Sequence, residues 1–444
     1  MHSLAEGVMR VNLHQRKSGG SSHRGTLSRL AQHPDVSSSS HLAQCYVLGW
    51  HTLLLPVLLS FSHSAMSTSS DSAGRHAMWI DCDPGHDDVA AIILAAGDPC
   101  INLIGISVVA GNADLRRCTL NAMHVAATLQ LTCPVIPGAA QPLLRPTRVC
   151  PAIHGETGLD SAHGRVPWPA LEPDAWHSAR EAAPAPARMY ELIMQHWTRT
   201  GEQVRLVATG PLTNVALLLR TFPRVTRALH SITFMGGGIT RGNVTPAAEF
   251  NIQVDPEAAA IVMQAGHGGH ADDAADAAGA DSKNTELSSL NFHDPAAPVP
   301  VRVCMVPLEV THTALVTEQV MAALEVAGGE PFGQVVTGLM QFFAGTYKSI
   351  EGMDAPPLHD PCAVLAAVHP ELMQGFQAHV QVDTTSPLCA GQTVVDVRNV
   401  LKSSATCKNV FVCTSMDVPA FWEHMVQAVR AVAPSANATL SREG

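Results

Sequence analysis

The sequence predicts an α/β fold: a single open, mainly parallel sheet with helices on both faces, in a Rossmann-like, doubly wound arrangement. Short apolar runs rich in β-branched residues alternate along the chain with longer helical patterns, and most of the runs end in turns containing Gly, Pro or Asn. With 46% hydrophobic and 15% charged residues among 444, the composition is that of a globular protein. Repeated strand, turn and helix is typical of a parallel sheet with right-handed crossovers.

Residues 1–76 differ from the rest of the chain, and we predict that they form a disordered or targeting extension. They are rich in Ser, His and Arg and show no helix or strand period. Their apolar run at 46–61 is interrupted and shorter than the roughly 20 residues of a membrane span. It also lies too far from the start for an ordinary signal peptide. Two interpretations remain open: the segment is a transit peptide, or translation starts at Met66 or Met78.

From residue 77 to 444 we predict one domain, whose elements follow the apolar runs and the turns between them. The predicted strands cover 77–80, 101–109, 135–136, 203–208, 231–235 and 301–306, and the predicted helices cover 89–96, 115–129, 215–219, 256–264 and 363–368. Residues 266–298 interrupt this rhythm with a low-complexity stretch of Gly, His, Ala and Asp that becomes polar and Pro-rich. Such composition favours a disordered surface insertion over a domain boundary.

The C-terminal part returns to an ordered pattern. Residues 378–382 and 393–397 predict a hairpin-like strand pair, and 410–413 an edge strand. Residues 418–432 have the apolar periodicity of an amphipathic helix that closes the domain.

The turn after the first predicted strand concentrates acidic side chains. It contains Asp81, Asp83, Asp87 and Asp88, separated by Pro84-Gly85. This position is the carboxyl edge of the sheet, where open α/β folds bind ligands. A helix N-terminus accommodates one or two carboxylates, and a capped helix with a solvated turn would explain a single pair. Four carboxylates repel one another, so we expect a hard divalent cation with oxygen ligands.

The pattern D-x-D-P-G-x-D-D resembles the N-terminal signature of the nucleoside hydrolases, the inosine-uridine preferring family that cleaves the N-glycosidic bond of ribonucleosides. Further segments resemble later blocks of that family, at 109–112, 154–159, 209–214, 242–251, 307–312 and 358–361. The resemblance covers essentially all of 77–433 except the insertion. Among the few departures is His86, where a small or aliphatic residue is commoner in the family.

The resemblance implies a Ca²⁺ ion as the cofactor. Its ligands would be Asp83, Asp88, Asp360 and the backbone carbonyl of Thr209, with Asp81 as a neighbouring acid. Calcium takes six to eight oxygen ligands, so a water and two ribose hydroxyls can complete the shell.

The same resemblance implies a set of substrate contacts. Asp87 would accept a hydrogen bond from a ribose hydroxyl, and His154 would contact the base or the 5′ side of the sugar. The other predicted ribose contacts are Asn112, Asn243, Glu249 and Asn251. Any one of these Asn residues alone would be typical of a turn or a helix cap. We expect a loop around 249–251. Tyr347 either lines the base pocket or belongs to the core.

The implied chemistry is hydrolysis through an oxocarbenium-like sugar. Asp83 is the candidate general base for a water that a metal makes more acidic. His359 is the candidate acid for the departing base, because it adjoins Asp360 and histidine titrates near neutral pH. A second His-Asp-Pro occurs at 293–295, but it lies in the low-complexity insertion, whereas an apolar helix follows His359.

Two other classes of protein remain as alternatives. A haloacid-dehalogenase-like phosphatase also has D-x-D after a strand, with Asp81 as nucleophile, Asp83 as acid and Mg²⁺. That interpretation leaves the Pro-Gly turn and residues 248–251 unexplained. The second alternative is a catalytically silent nucleoside-binding protein that retains the pocket.

Charge and cysteine content bear on partners and location. A net charge of −11 argues against nucleic acid as a partner. The family resemblance implies a small-molecule nucleoside as the partner, and we expect no membrane. The 11 cysteines contain no C-x-x-C pair, which favours a reducing compartment. We therefore expect a cytoplasmic protein, with organellar targeting by 1–76 left open. Family resemblance implies a homodimer or homotetramer, and the base preference is not fixed.

Overall fold

The computed structural model describes residues 74–181, 184–266, 299–401 and 408–442. The predicted N-terminal extension, apart from its last few residues, and nearly all of the predicted insertion lie outside these residues. The part of the chain from Asp71 to Gly444 forms one compact unit.

The described residues contain an eight-stranded sheet and a separate pair of strands. The strands are β1 (His76–Cys82), β2 (Ile101–Val108), β3 (Val135–Pro137), β4 (Val204–Ala208), β5 (Leu229–Met235), β6 (Arg302–Val306), β7 (Met373–Ala378), β8 (Val380–Val382), β9 (Thr393–Val395) and β10 (Val410–Met416). The large sheet has the order β3-β2-β1-β4-β5-β6-β10-β7. All neighbours in it are parallel except β10 and β7. The predicted mainly parallel α/β fold is confirmed.

Helices connect most of the strands. They are α1 (His86–Gly97), α2 (Leu115–Thr128), α3 (Pro151–His154), α4 (Ala175–Glu181), α5 (Ala185–Thr200), α6 (Thr213–Thr221), α7 (Phe250–Val254), α8 (Pro256–Gln264), α9 (Leu308–Thr311), α10 (Glu318–Gly328), α11 (Phe332–Ile350), α12 (Pro361–Val368) and α13 (Val418–Leu440). None of the helices in the described ranges has the length and apolar character that crossing a membrane would need.

The C-terminal strands differ from the prediction in one respect. The hairpin-like pair is present as the antiparallel β8 and β9. The strand predicted at 410–413 is present as β10, but its predicted edge position is wrong: β10 lies between β6 and β7, and the antiparallel β7 forms the edge on that side. The sequence of β7 concealed it, because its middle residues are partly or fully exposed and include a glycine and two glutamines, so no apolar run marks the strand.

Strand β1 is buried on both faces, as expected for a central parallel strand. Met78 and Ile80 belong to one hydrophobic cluster, and Ala77 and Trp79 to the other, because successive side chains point to opposite faces. The Trp79 ring lies against Gly105, where an added Cβ would come within 2.3 Å of it. The first acidic residues therefore follow a strand that the core holds rigidly in place.

The sheet brings distant turns to one edge. Strand β1 pairs with β2 on one side and with β4 on the other, and β4 pairs with β5. Because these strands are parallel, the loops that follow them open at the same edge, which is the usual ligand position in such folds. These loops contain Asp83, Asn112, Thr209 and Glu249.

Candidate active site

Asp88 organises the turn between β1 and α1. Its carboxylate accepts hydrogen bonds from the backbone N–H groups of Asp83 (3.2 Å) and Gly85 (3.0 Å). It also accepts from Asn112 Nδ2 (3.0 Å) and Thr209 Oγ1 (2.8 Å). One buried carboxylate thus ties together the loops after β1, β2 and β4.

Asp83 lies beside Asp88 in a space that two glycines provide. A Cβ at Gly111 would come within 2.1 Å of Asp83 Oδ2, and one at Gly210 within 2.5 Å of Oδ1. The backbone N–H of Asn112 donates to Oδ2 at 2.7 Å. Within the described residues, Oδ1 is buried without a hydrogen-bond partner. Burial, with the nearby charge of Asp88, raises the pKa of Asp83 well above its usual range.

A group of buried carboxylates is ready to bind a cation. Oxygens of Asp87, Asp88 and Asp360 all lie within 4.8 Å of one another. Burial and then the charge of Asp88 raise the pKa of Asp87 to about 8, and burial and then the charge of Asp87 raise the pKa of Asp360 well above its usual range. Asp87 Oδ1 is a second buried oxygen without a partner in the described structure. An all-oxygen donor set suits a hard divalent ion, so the residues fit such a metal. Asp83 is not a member of this group.

The loops after β4 and β5 present a carbonyl and an amide to this group. The Thr209 carbonyl accepts a hydrogen bond from Asn251 Nδ2 at 2.8 Å. A carbonyl oxygen has two lone pairs, so one acceptor position remains. Asn251 Nδ2 also donates to the Met235 carbonyl (3.2 Å), which fixes the amide between the ends of β4 and β5.

The loop expected around 249–251 is instead the start of α7, and Glu249 is the reason. Its carboxylate accepts from the backbone N–H groups of Asn251 (2.9 Å) and Ile252 (3.3 Å), and so caps the helix. It also accepts from Gly237 N–H at 2.9 Å. Burial raises the pKa of Glu249 to about 7. The preferred N-cap residues are Ser, Thr, Asp and Asn and do not include Glu, so the sequence alone did not suggest this helix start.

Asp81 has no access to a substrate. It is fully buried, and it accepts hydrogen bonds from Asn214 Nδ2 (2.8 Å) and from the Ser107 hydroxyl. Burial raises its pKa to about 7. It does not line the cavity described below. A phosphatase would need Asp81 as an exposed nucleophile, so this placement argues against that alternative.

A cavity of about 280 Å³ opens above the carboxylate group, near the lower end of the roughly 300–1,000 Å³ of small-molecule sites. It brings together all of the predicted site residues except Asp83 and Asp88, which lie below it and bind Asn112. The predicted residues that line it are Asp87, Asn112, His154, Thr209, Asn243, Glu249, Asn251, His359 and Asp360. Tyr347 also lines it, together with the apolar Phe343 and Ile350.

His359 lies in this cavity between two hydroxyl groups. Its Nδ1 is 2.8 Å from Thr311 Oγ1, and its Nε2 is 2.8 Å from the Tyr347 hydroxyl. Burial, followed by the neighbouring His312, lowers the pKa of His359 to about 3. The imidazole is therefore neutral near pH 7, with each ring nitrogen in a hydrogen bond. Nothing in the sequence pattern indicated the Tyr347 contact, because it depends on how α11 packs.

His154 is held in place by His86, which the sequence marked only as unusual. The two rings stack with centroids 5.3 Å apart, and their Nδ1 atoms are 3.1 Å apart. His86 Nε2 donates a hydrogen bond to the Asp160 carbonyl at 2.8 Å, and the His86 backbone N–H lies 3.4 Å from His154 Nδ1. Burial lowers the pKa of His86 to about 4 and that of His154 well below its usual value. Both rings are neutral.

Residues 78–423 match the profile of the family described as inosine-uridine preferring nucleoside hydrolase. The chain belongs to this family. A "Probable ribonucleoside hydrolase" of Dictyostelium discoideum is 36% identical over 362 residues, covering 79% of this chain and 94% of that protein. The "Pyrimidine-specific ribonucleoside hydrolase RihB" of Escherichia coli is 33% identical over 351 residues, covering 79% and 96%.

Solved structures agree with this assignment. The "Purine-Preferring Ribonucleoside Hydrolase from Gardnerella vaginalis" has a TM-score of 0.64 at 25% identity, with 80% of this chain and 98% of that chain covered. A plant nucleoside hydrolase, "PpNRh1 enzyme", gives the same TM-score and identity and covers 80% and 99%. As a nucleoside hydrolase, the chain is an N-glycosyl hydrolase. These matches favour neither the phosphatase nor a silent binding protein.

Proposed function

We propose that this nucleoside hydrolase is a calcium-dependent enzyme that converts ribonucleosides to ribose and free base, and so serves purine and pyrimidine salvage. The observation that carries the proposal is the group of buried carboxylates below a cavity that His359 also lines. A cation stabilises the charged form of buried carboxylates that lie this close together, and an N-riboside needs a base and an acid at one site.

In this proposal Asp83, Asp88, Asp360 and the Thr209 carbonyl hold the calcium. When bound, the ion would lower the pKa of a water molecule and hold ribose hydroxyls. The partnerless Asp83 Oδ1 and the free lone pair of Thr209 support this ligand set. Asp87 also belongs to the close carboxylate group, and its partnerless oxygen borders the cavity. We assign that oxygen to a ribose hydroxyl.

Asp83 acts as the general base, taking a proton from the water that attacks C1′ of the ribose. The hydrogen bond from the Asn112 N–H holds Oδ2, so Oδ1 is the oxygen that would both bind the ion and accept this proton through its second lone pair. Gly111 and Gly210 leave room for the carboxylate, because a side chain at either position would collide with it.

His359 provides the hydrogen bond that the departing base needs. Its neutral ring donates from Nε2, the atom that contacts the Tyr347 hydroxyl. The Tyr347 hydroxyl therefore either turns aside, so that Nε2–H donates to the base, or accepts from Nε2–H and donates its own O–H to the base. In both cases Thr311 keeps Nδ1 in a hydrogen bond and fixes the ring orientation.

The remaining predicted contacts orient the nucleoside. Asn112, Asn243, Glu249 and Asn251 bind the ribose, and His154 contacts the base or the 5′ side of the sugar; all of them line the cavity. Relatives include a pyrimidine-specific and a purine-preferring enzyme, so the proposal covers ribonucleosides as a class, inosine and uridine included. We further propose a cytoplasmic homodimer or homotetramer that binds neither nucleic acid nor membranes. Light scattering on the purified chain measures the assembly.

Ribose release tests the proposal. The full-length protein is stripped with a chelator and assayed with inosine and uridine, with and without added calcium. We expect free ribose only when calcium is present, and at least a 100-fold lower rate for Asp360→Asn. The exposed Asp174→Asn is the matched control and should keep the full rate. Calcium-independent turnover would refute the cofactor, and nucleoside-induced stabilisation without ribose release would indicate a silent binder.

A further inference from the structure

A second cluster of potential metal ligands lies away from the active site. Helix α1 begins at the acidic turn and ends at Gly97, where Asp98 is the C-cap. Helix α12 follows Asp360 and ends at Val368, where His369 is the C-cap. Asp98 and His369 therefore meet at the far ends of the two helices whose near ends hold the catalytic acids. His424, on α13, completes the cluster.

The three side chains converge on one oxygen. Asp98 Oδ2 lies 3.0 Å from His369 Nε2 and 3.1 Å from His424 Nδ1. All three atoms are within 4.8 Å of one another. Asp98 is 5% exposed, and its other oxygen accepts the Cys100 N–H at 2.8 Å, which fixes the carboxylate. Ligands of a tetrahedral zinc with bonds of about 2.0 Å stand about 3.3 Å apart, close to the observed separations.

Both ring nitrogens of His369 face carboxylates. Nε2 faces Asp98, while Nδ1 lies 3.3 Å from Glu371 Oε1. A neutral imidazole has one N–H, so one of its nitrogens would point a lone pair at a carboxylate. A metal on Nε2 removes this conflict and leaves Nδ1–H to donate to Glu371. That carboxylate–histidine–metal arrangement is the usual support for a metal-bound histidine.

Helix electrostatics point to a cation at the same place. The carbonyl ends of α1 and α12 both lie at the cluster, and helix C-termini carry partial negative charge. A buried Asp98 at one of these ends is unfavourable by itself, because its charge has the same sign as the helix end. The rings of His369 and His424 lie with centroids 4.2 Å apart, so a cation between them would neutralise the acid and the helix ends together.

We propose that Asp98, His369 and His424 form a second metal site, separate from the catalytic acids, that takes a zinc-class transition-metal ion. Two imidazoles and a carboxylate favour Zn²⁺, Co²⁺ or Ni²⁺ over Ca²⁺ or Mg²⁺. His424 is partly exposed, so solvent supplies the fourth ligand and gives the ion a way in. The bound ion fastens α1 and α12 to the C-terminal helix α13. The proposal is independent of calcium at the catalytic acids.

Cobalt spectroscopy tests this site directly. The full-length protein is stripped with a chelator, returned to excess calcium to occupy sites that prefer oxygen ligands, and titrated with Co²⁺. We expect the visible d–d bands of four-coordinate cobalt at one equivalent, displaced by Zn²⁺. In His424→Gln, the affinity for the first equivalent of Co²⁺ should fall by more than roughly 10–100-fold, which is the loss expected when only a hydrogen-bond partner of a metal ligand is removed.

The control is His177→Gln, which removes an exposed histidine far from the cluster in sequence and should leave the bands unchanged. Other histidines of the chain bind metal weakly in every variant, so only the difference between variants counts. Absence of four-coordinate bands in the wild-type protein overturns the proposal even if a variant misfolds. Equal titrations of wild type and His424→Gln overturn it too, and would leave the cluster as a set of hydrogen bonds between α1, α12 and α13.

Discussion

Replacing Glu249 with glutamine should remove part of the pH dependence of stability. Burial raises the pKa of Glu249 from 4.5 to about 7. Below about pH 4.5 the carboxyl is protonated in both states. As the pH rises toward 7, the unfolded state loses the proton first, so the stability of the native state falls. Above about pH 7 both states are deprotonated, and the stability falls no further. The rise of the Glu249 pKa from 4.5 to about 7 corresponds to roughly 3 kcal/mol of unfolding free energy. Glutamine carries no such charge.

The measurement is urea unfolding of wild type and Glu249→Gln, followed by circular dichroism between about pH 5 and about pH 8 in constant calcium. Loss of part of the α7 cap lowers the stability of the variant by about 1 kcal/mol at every pH. The informative quantity is therefore how the difference in unfolding free energy between wild type and variant changes with pH. We expect the variant to gain up to roughly 3 kcal/mol relative to wild type across this range. Exposed Glu191→Gln is the control. Parallel curves for wild type and Glu249→Gln would refute the reasoning.

Three further changes test the site. In Asp360→Asn, calcium should no longer raise the thermal unfolding midpoint. Scanning calorimetry with and without calcium measures this midpoint, and a calcium-induced rise equal to that of wild type would contradict the role of Asp360 as a ligand. Tyr347→Phe should lower kcat by roughly 10–100-fold with little change in KM, because it removes the hydroxyl group that contacts His359 Nε2. An unaltered kcat would show that this hydroxyl does not assist the departing base. Gly111→Ala would place a Cβ 2.1 Å from Asp83 Oδ2. It should lower the stability by about 1–3 kcal/mol and remove most of the activity. Full activity would show that the loop moves to accommodate the methyl group.

The strands that the sequence predicted correctly include the central ones, which are mostly buried. Strands β1, β2, β4, β5 and β6 form apolar runs, and the turns that follow them contain Gly, Pro or Asn. In the edge strand β7, by contrast, four of the six residues are partly or fully exposed, and this strand was missed. Helix α7 was missed because its start depends on a glutamate cap whose partners come from another loop.

Within the site, the sequence indicated the residues that family motifs carry but not the contacts between them. Asp88, Thr209 and Asn251 all come from such motifs, yet the hydrogen bonds that join them cross strands far apart in the chain. The contact of Tyr347 with His359 and the stacking of His86 on His154 depend on tertiary packing. No local spacing rule encodes either contact, so both required the structure.

The crowding of acids beneath the cavity has a consequence for how long the protein survives. Asp83, Asp87, Asp88 and Asp360 are all buried, and their mutual repulsion opposes the native state whenever no counter-charge is supplied. Ion binding is then coupled to folding, because the unfolded chain offers no comparable cage. Divalent ion supply should therefore set not only turnover but also resistance to proteases, and material kept in chelating buffers should degrade faster than material kept in calcium.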